Sequence, residues 1–396
     1  MNPRLQSLQP YPFERLRQLF AGVTPNPALP HISLGIGEPR HPTPDLIKRA
    51  LAESLGKLAS YPATAGGDAL RQTIAGWLAR RYALRSVDWR TEVLPVNGSR
   101  EALFAFAQAV LDPSRGDAVV VCPNPFYQIY EGAALLGGAC PCFVNALPER
   151  GFAADYGAVP GDAWRRTQLL YVCSPGNPTG KVLNLEDWKE IFGLSDRHGF
   201  IVASDECYSE VYFDEGAPPL GALQAAALLG RGFERLVVFS SLSKRSNVPG
   251  MRSGFVAGDA AILKAFLLYR TYHGGAMSLA VQDASVAAWS DEAHVRDNRR
   301  KYAEKFARVA PQLRAALGVE PPEAAFYLWA PTPIPDAEFA RRLYAEQHVT
   351  VLPGSFLARE SAGVNPGANR VRMALVAELE ECLEAARRIV EFAKSL

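Results

Sequence analysis

The stretch Val237–Gly258, "VVFSSLSKRSNVPGMRSGFVAG", holds two short apolar runs separated by a serine-rich loop. The first run, Val237–Phe239, ends in small polar residues, and Lys244 follows at once. Arg252 stands eight residues later, just before the second run. Short apolar runs bounded by turn signals read as buried strands. The lysine and the arginine are therefore expected in a loop at the edge of a sheet, with Ser241 and Ser243 flanking the lysine.

The same alternation recurs on the N-terminal side. "TEVLPVN" (91–97) leads into the helical pattern "SREALFAFAQAVL" (99–111). "DAVVVC" (117–122) precedes "PNPFYQIYEGAALLGG", and "TQLLYVC" (167–173) ends at "SPGNPTG". A helix is expected over 185–198, then the strands "GFIVASD" (199–205), "RLVVFSS" (235–241) and "RSGFVAG" (252–258). β-Rich runs separated by helices predict a mostly parallel sheet covered on both faces. Upstream, a short helix is expected near Pro12–Phe20, another from "TPDLIKRALAESL" with Thr43 as N-cap and Pro44 at its first position, and a third in "GGDALRQTIAGWLARRY" with Leu70, Ile74 and Leu78 on one face. After about residue 285 the pattern changes to a long charged helix, the strands "EAAFYLWAP", "VTVLPG" and "ANRVRMAL", and a last amphipathic helix. The expected division is an N-terminal arm contributing to a small domain (1–44), a large α/β domain (45–285) and a small α+β domain (286–396).

The chain of 396 residues is long for one core. Lys plus Arg is 42 against 41 for Asp plus Glu, so net charge gives no attraction to nucleic acid or to an anionic membrane. No apolar run is long enough for a membrane span, and "MNPRLQSLQPYPFERLRQLF" has charges and prolines where a signal peptide needs an apolar core. A cytoplasmic protein is expected. Several of the six cysteines close apolar runs and read as small buried hydrophobes at strand ends; neither the cysteines nor the six histidines show ligand spacing, so no metal is expected.

In a parallel α/β sheet, ligands bind outside the carboxyl ends of the strands. Gly98 and Ser99 open a helix after the first strand, which suits a phosphate. Tyr127 follows the second strand, Asn177 lies in the turn after the third, and Asp205 ends the fourth with Tyr208 one turn on. A carboxylate closing an apolar strand should face a cation. A phosphate wants a helix N-terminus, hydroxyls and an arginine, which Gly98, Ser99, Ser241 and Arg252 supply. A protonated pyridine nitrogen wants Asp205, a ring oxygen wants Asn177 and Tyr208, a flat ring wants Tyr127, and an aldehyde wants the Lys244 amine. Together these describe pyridoxal phosphate, with Lys244 as its covalent anchor.

The ordered set "LGIGEP", "YPATAGGDALR", "NGSREAL", "PNPFYQIY", "SPGNPTG", "SDECY", "SLSKRSNVPGMRSGF" and "NRVRMAL" spans nearly the whole chain. It resembles the class I/II, fold-type I, pyridoxal-phosphate-dependent aminotransferases. The resemblance implies a large domain with a mostly parallel seven-stranded sheet between helices plus a small α+β domain, and a homodimer with shared active sites. It implies that Lys244, Asp205 and Tyr208 are catalytic, and that Gly98, Ser99, Tyr127, Asn177, Ser241, Ser243 and Arg252 hold the cofactor. Arg100 departs from the family's commoner residue and is grouped with them by position. By the same resemblance Tyr61 reaches the phosphate of the neighbouring subunit, Arg372 grips the substrate α-carboxylate, and the Gly37 backbone closes over the substrate.

"SLSKRSNVPGMRSGF" and "GEPRHPTP" are most similar to bacterial N-succinyldiaminopimelate aminotransferases, implying exchange with 2-oxoglutarate in lysine biosynthesis. The distal carboxylates of such a substrate need a further cation; Arg40 is the expected reader, with Arg245 the alternative. Other readings on the same fold are an aspartate-, aromatic- or alanine-type aminotransferase and a carbon–sulfur β-lyase; a ligand-binding regulator would need an added DNA-binding domain.

Overall fold

The computed structural model describes residues 1–396. Twelve strands run in chain order: β1 (Ile32–Ser33), β2 (Val93–Val96), β3 (Val119–Asn124), β4 (Cys140–Asn145), β5 (Thr167–Cys173) and β6 (Ile201–Asp205) in the first half. Then come β7 (Leu236–Ser241), β8 (Gly254–Gly258), β9 (Tyr327–Pro331), β10 (Val349–Thr350), β11 (Leu352–Pro353) and β12 (Arg370–Ala374). Seven of them form one sheet in the order β2-β8-β7-β6-β5-β3-β4. Only β8 runs against its neighbours β2 and β7; the other pairings are parallel. The central strands are buried on both faces, which is why they read as unbroken apolar runs rather than alternating ones.

One core on each face holds this sheet. On one side Trp77, Trp188 and Trp289 pack with Leu170, Val202 and Val238; on the other Phe106, Tyr130 and Phe266 pack with Val120, Val237 and Val256. A third core gathers Tyr302, Phe306, Phe339 and Phe392 around the antiparallel sheet β11-β12-β9, and Ile32 and Leu34 from the N-terminal segment belong to it through the parallel pair β1–β10. No helix is long and apolar enough to cross a membrane.

Three local expectations need correction. The seventh strand, β4, gave no apolar signal, because "CPCFVN" lies at the sheet edge with mostly half-exposed side chains. Thr43 is not the N-cap: the helix is Asp45–Glu53 with Pro44 at the cap, and the Thr43 hydroxyl donates to the Asn247 carbonyl at 2.9 Å. The cysteines are not uniformly buried strand ends: Cys140 is exposed at the start of the edge strand, and Cys382 lies in the last helix. The capping box Asn184/Asp187 and left-handed Gly199 bound the helix Leu185–His198, over the span the sequence predicts.

Candidate active site

The carboxyl edge of the large sheet and the inner edge of the small one enclose a cavity of about 450 Å³. Ser99, Arg100, Tyr127, Asn177, Asp205, Tyr208, Ser241, Ser243, Lys244 and Arg252 line it, and so do Gly37 from the segment after β1 and Arg372 from β12. Arg252 reaches this edge because β8 is antiparallel, so the residues preceding β8 lie where the other strands end.

The chain crosses this edge closely in two places. Gly98, with φ +86°, caps the helix Ser99–Val110, and a Cβ there would overlap the Arg252 guanidinium. A Cβ at Gly37 would overlap the Tyr327 hydroxyl. The Gly37 carbonyl accepts a hydrogen bond from Lys244 Nζ at 2.5 Å.

Asp205 is buried, and no cation lies within ion-pair distance of it. Its Oδ2 accepts from the Tyr130 hydroxyl at 2.7 Å and its Oδ1 from the Cys207 N–H at 3.2 Å. The expected cationic partner is thus missing from the protein, and burial raises the carboxyl pKa. A ring nitrogen that is protonated when paired with this carboxylate supplies what the chain lacks. Lys244 is partly buried and likewise has no carboxylate partner, and the desolvation of its amine pushes it down to about 8, with Arg372 adding to the effect. That makes the neutral, nucleophilic amine far more abundant near neutral pH than in an ordinary lysine.

Arg372 is 4% exposed and has no carboxylate within 4 Å. Its guanidinium donates to Asn177 Oδ1 at 3.1 Å and to the Gly35 carbonyl at 2.9 Å, while its Nε has no partner. A buried guanidinium left this way is a receptor for an anion. The Tyr208 hydroxyl meets that of Tyr327 at 2.7 Å, and burial raises the Tyr208 pKa. Arg100 Nε donates to the Tyr127 hydroxyl at 2.6 Å, and its guanidinium lies 5.9 Å from the Tyr11 ring. Arg252 donates to the Pro249 carbonyl at 2.9 Å and has no carboxylate partner.

Three expected residues stand apart from the cavity. Arg40 points to the last helix, 3.1 Å from Glu381 and half exposed. Arg245 turns into the large-domain core, bonded to Glu292 and over the Trp289 ring at 4.7 Å. Neither expected reader of distal carboxylates reaches the site. Tyr61 is fully exposed in the single chain. Conversely, sequence reading missed Tyr130, Cys207, Tyr327, Glu38, Tyr11 and Phe13. Cys207 Sγ lies 2.9 Å from Ser99 Oγ, between two of the recognised residues. Tyr130 could have been found as the residue one helical turn beyond Tyr127; the arm residues Tyr11 and Phe13 carry no local signal.

Known proteins share this architecture. An aminotransferase of Neisseria meningitidis is 55% identical, with a TM-score of 0.96 over 99% of this chain and 100% of that one. A probable N-succinyldiaminopimelate aminotransferase of Thermus thermophilus is 29% identical, with a TM-score of 0.84 over 96% and 99%. An LL-diaminopimelate aminotransferase of Syntrophobacter fumaroxidans is 33% identical over 98% of this chain and 97% of its own length. The family described as "Aminotransferase class I and II" matches residues 30–389, so the chain belongs to the class I/II aminotransferases, enzymes that depend on pyridoxal phosphate.

Proposed function

We propose that the enzyme transfers an amino group between glutamate and a diaminopimelate-type substrate, a long amino acid with a second charged group at its far end. The observation that carries this reading is the pairing of buried, carboxylate-free Arg372 with a second guanidinium, Arg100, on the wall of one cavity. Arg372 takes the α-carboxylate in a bidentate pair, and Arg100 takes the distal carboxylate in place of Arg40 and Arg245. The N-succinylated form follows from the sequence resemblance and is supported by the Thermus thermophilus relative. A second form, free LL-diaminopimelate, is the substrate in the name of the Syntrophobacter fumaroxidans relative. Glu38 on the cavity wall favours it, because the distal ammonium of the free form needs a carboxylate.

Pyridoxal phosphate, when bound, withdraws electrons from the substrate Cα and stores the amino group between half-reactions. Gly98, Ser99, Ser241, Ser243 and Arg252 hold its phosphate at the helix N-terminus, and Tyr127 covers the ring. Asp205, fixed by Tyr130 and Cys207, keeps the ring nitrogen protonated. Asn177 and Tyr208 donate to the ring oxygen. Lys244 would be the covalent anchor; once freed by the substrate amine, its Nζ would be the base that takes the Cα proton and the acid that gives it back. Gly37 and the arm residues Tyr11 and Phe13 exclude water from above.

We also assign a homodimer in the cytoplasm, with Tyr61 of each chain completing the other's phosphate site. Leu55, Leu58 and Tyr61 form an exposed apolar strip that a second copy would cover. An active monomer in light scattering at working concentration would remove this part. The substrate test is a half-reaction screen of the holoenzyme. Glutamate should convert the cofactor's absorbance to the amine form, and N-succinyl-2-amino-6-oxopimelate should reverse it; reversal only by the unsuccinylated oxo acid selects the free form. Rapid reversal by phenylpyruvate with neither pimelate active would overturn the diaminopimelate reading and leave the aminotransferase.

A further inference from the structure

His41, Asn298 and Lys305 form a buried polar chain outside the cavity. His41 stands four residues beyond Gly37, and Asn298 and Lys305 share one face of the helix Ala293–Leu317, two turns apart. They are 5%, 2% and 2% exposed. Lys305 Nζ is 2.6 Å from His41 Nε2, and His41 Nδ1 is 2.8 Å from Asn298 Oδ1. Asn298 Nδ2 donates to the main-chain carbonyl of Lys244 at 3.3 Å, and Asn247 Nδ2 donates to Asn298 Oδ1 at 3.1 Å.

These bonds run in one direction. A carbonyl only accepts, so Asn298 presents its amide to Lys244 and its oxygen to His41 and Asn247. His41 therefore carries its proton on Nδ1, and its bare Nε2 accepts from the Lys305 ammonium. Two further bonds tie the same segments: Lys244 Nζ to the Gly37 carbonyl, and the Thr43 hydroxyl to the Asn247 carbonyl. Segment 37–43 is thus joined to the lysine at its side chain, at its main chain and in the loop beyond it. Lys305 has no carboxylate within ion-pair distance, and burying an ammonium so costs stability that a leucine or methionine of similar length would not. Packing alone does not explain the chain.

We propose that His41 and Asn298, backed by Lys305, are positioning residues that hold the Lys244 main chain and the covering segment 37–43 in one register. The helix carrying Asn298 packs Tyr302, Phe306 and Val309 into the small-domain core, so any movement of that domain is passed to the lysine and to Gly37 together. Facing His41 are Lys305, Lys301, Glu378 and the Tyr302 ring at 4.7 Å; facing Lys305 are Cys382, Glu378, Glu381 and Lys301. Burial, and then the two lysines, hold the imidazole pKa below its ordinary value despite the Asn298 bond. Protonation on Nε2 would set an N–H against the Lys305 ammonium and break the chain at acid pH.

The inference rests on Lys244 carrying the cofactor and not on the identity of the long substrate. It is tested on holoenzyme with glutamate as amino donor and isotopically labelled 2-oxoglutarate as acceptor. Asn298→Ala and His41→Ala should lower kcat by about ten- to a hundredfold with a smaller change in KM, the scale of a misplaced catalytic group. They should also weaken the visible circular dichroism of the bound cofactor. His41→Gln, which accepts from Lys305 and donates to Asn298 without titrating, should restore both readouts and flatten the acid limb of kcat. If Asn298→Ala does not fold, the His41→Ala and His41→Gln pair decides. Parental kcat and dichroism in His41→Ala, or a His41→Gln no better than His41→Ala, would overturn the proposal. Borohydride label on a lysine other than Lys244 would instead remove the reading beneath it.

Discussion

The floor and the mouth of the cavity are built by different rules. On the floor, Ser99, Asp205, Ser241, Lys244 and Arg252 each lie within three residues of an end of β2, β6, β7 or β8. Strand ends in one sheet are fixed relative to each other by the ladder, so these positions tolerate little drift. At the mouth, Tyr11, Phe13, Glu38, Arg100 and Arg372 come from the arm, the covering segment, a helix and the small sheet. Nothing local sets their spacing; packing between the large sheet and the small one does. Chemistry common to a family can be written on the floor, while choice of substrate is left to the mouth.

Breaking the floor should have the largest effects. Lys244→Ala should lose turnover by orders of magnitude while retaining noncovalent cofactor, and peptide mapping after borohydride reduction of the parent should find the label on Lys244. Asp205→Ala should slow Cα proton removal by about a hundredfold or more with little change in substrate affinity, since it removes a charge that acts in the transition state. Near-parental single-turnover rates would take that role from Asp205.

The Lys244 amine offers a pH test. In cofactor-free protein its reductive methylation should titrate near 8. Because the folded pKa is lowered, the unfolded chain binds the extra proton between the two values, and stability should rise with pH across that window and level off above the unfolded pKa. A midpoint at the ordinary lysine value would mean the site is wetter than its burial indicates.

Changes at the mouth should be smaller and act on KM, some for every substrate and some for one. Arg372→Ala should raise KM for every amino acid by roughly ten- to a hundredfold, the loss of a charged hydrogen bond of about 1.5–3 kcal/mol. Arg100→Ala should raise KM for the long substrate alone; equal losses with glutamate would return Arg100 to the cofactor. The smallest effect belongs to Arg40. Arg40→Ala should leave KM for both substrates unchanged and alter stability by about 1 kcal/mol at most, because its pair with Glu381 is exposed.

The difference between floor and mouth also explains what could be read in advance. Lys244, Asp205 and Arg252 were legible because a reactive side chain at the end of an apolar run has few other uses. Arg40 was misplaced for the opposite reason. "GEPRHPTP" gives no periodicity to say which way each side chain points, and proline fixes backbone angles without choosing a face. Arg245, beside Lys244 in sequence, lies on the other side of the one-turn helix Leu242–Arg245 and enters the core. Edge strand β4 hid because its half-exposed residues lack the apolar run that marked its neighbours.

The sequence by itself determined the order of the buried strands, the sheet edge on which the chemistry collects, and the lysine, aspartate and arginine along it. Each of these follows from local patterns: buried parallel strands must be apolar throughout, and charged residues at their ends must face a ligand or a partner. Only the tertiary structure decided that Asp205 leans on Tyr130, that Arg372 is left without a carboxylate, that Arg100 rather than Arg40 faces the cavity, and that His41 reaches Lys244 through Asn298. Those contacts join residues tens to hundreds of positions apart, and their distances are set by how three cores pack against one another.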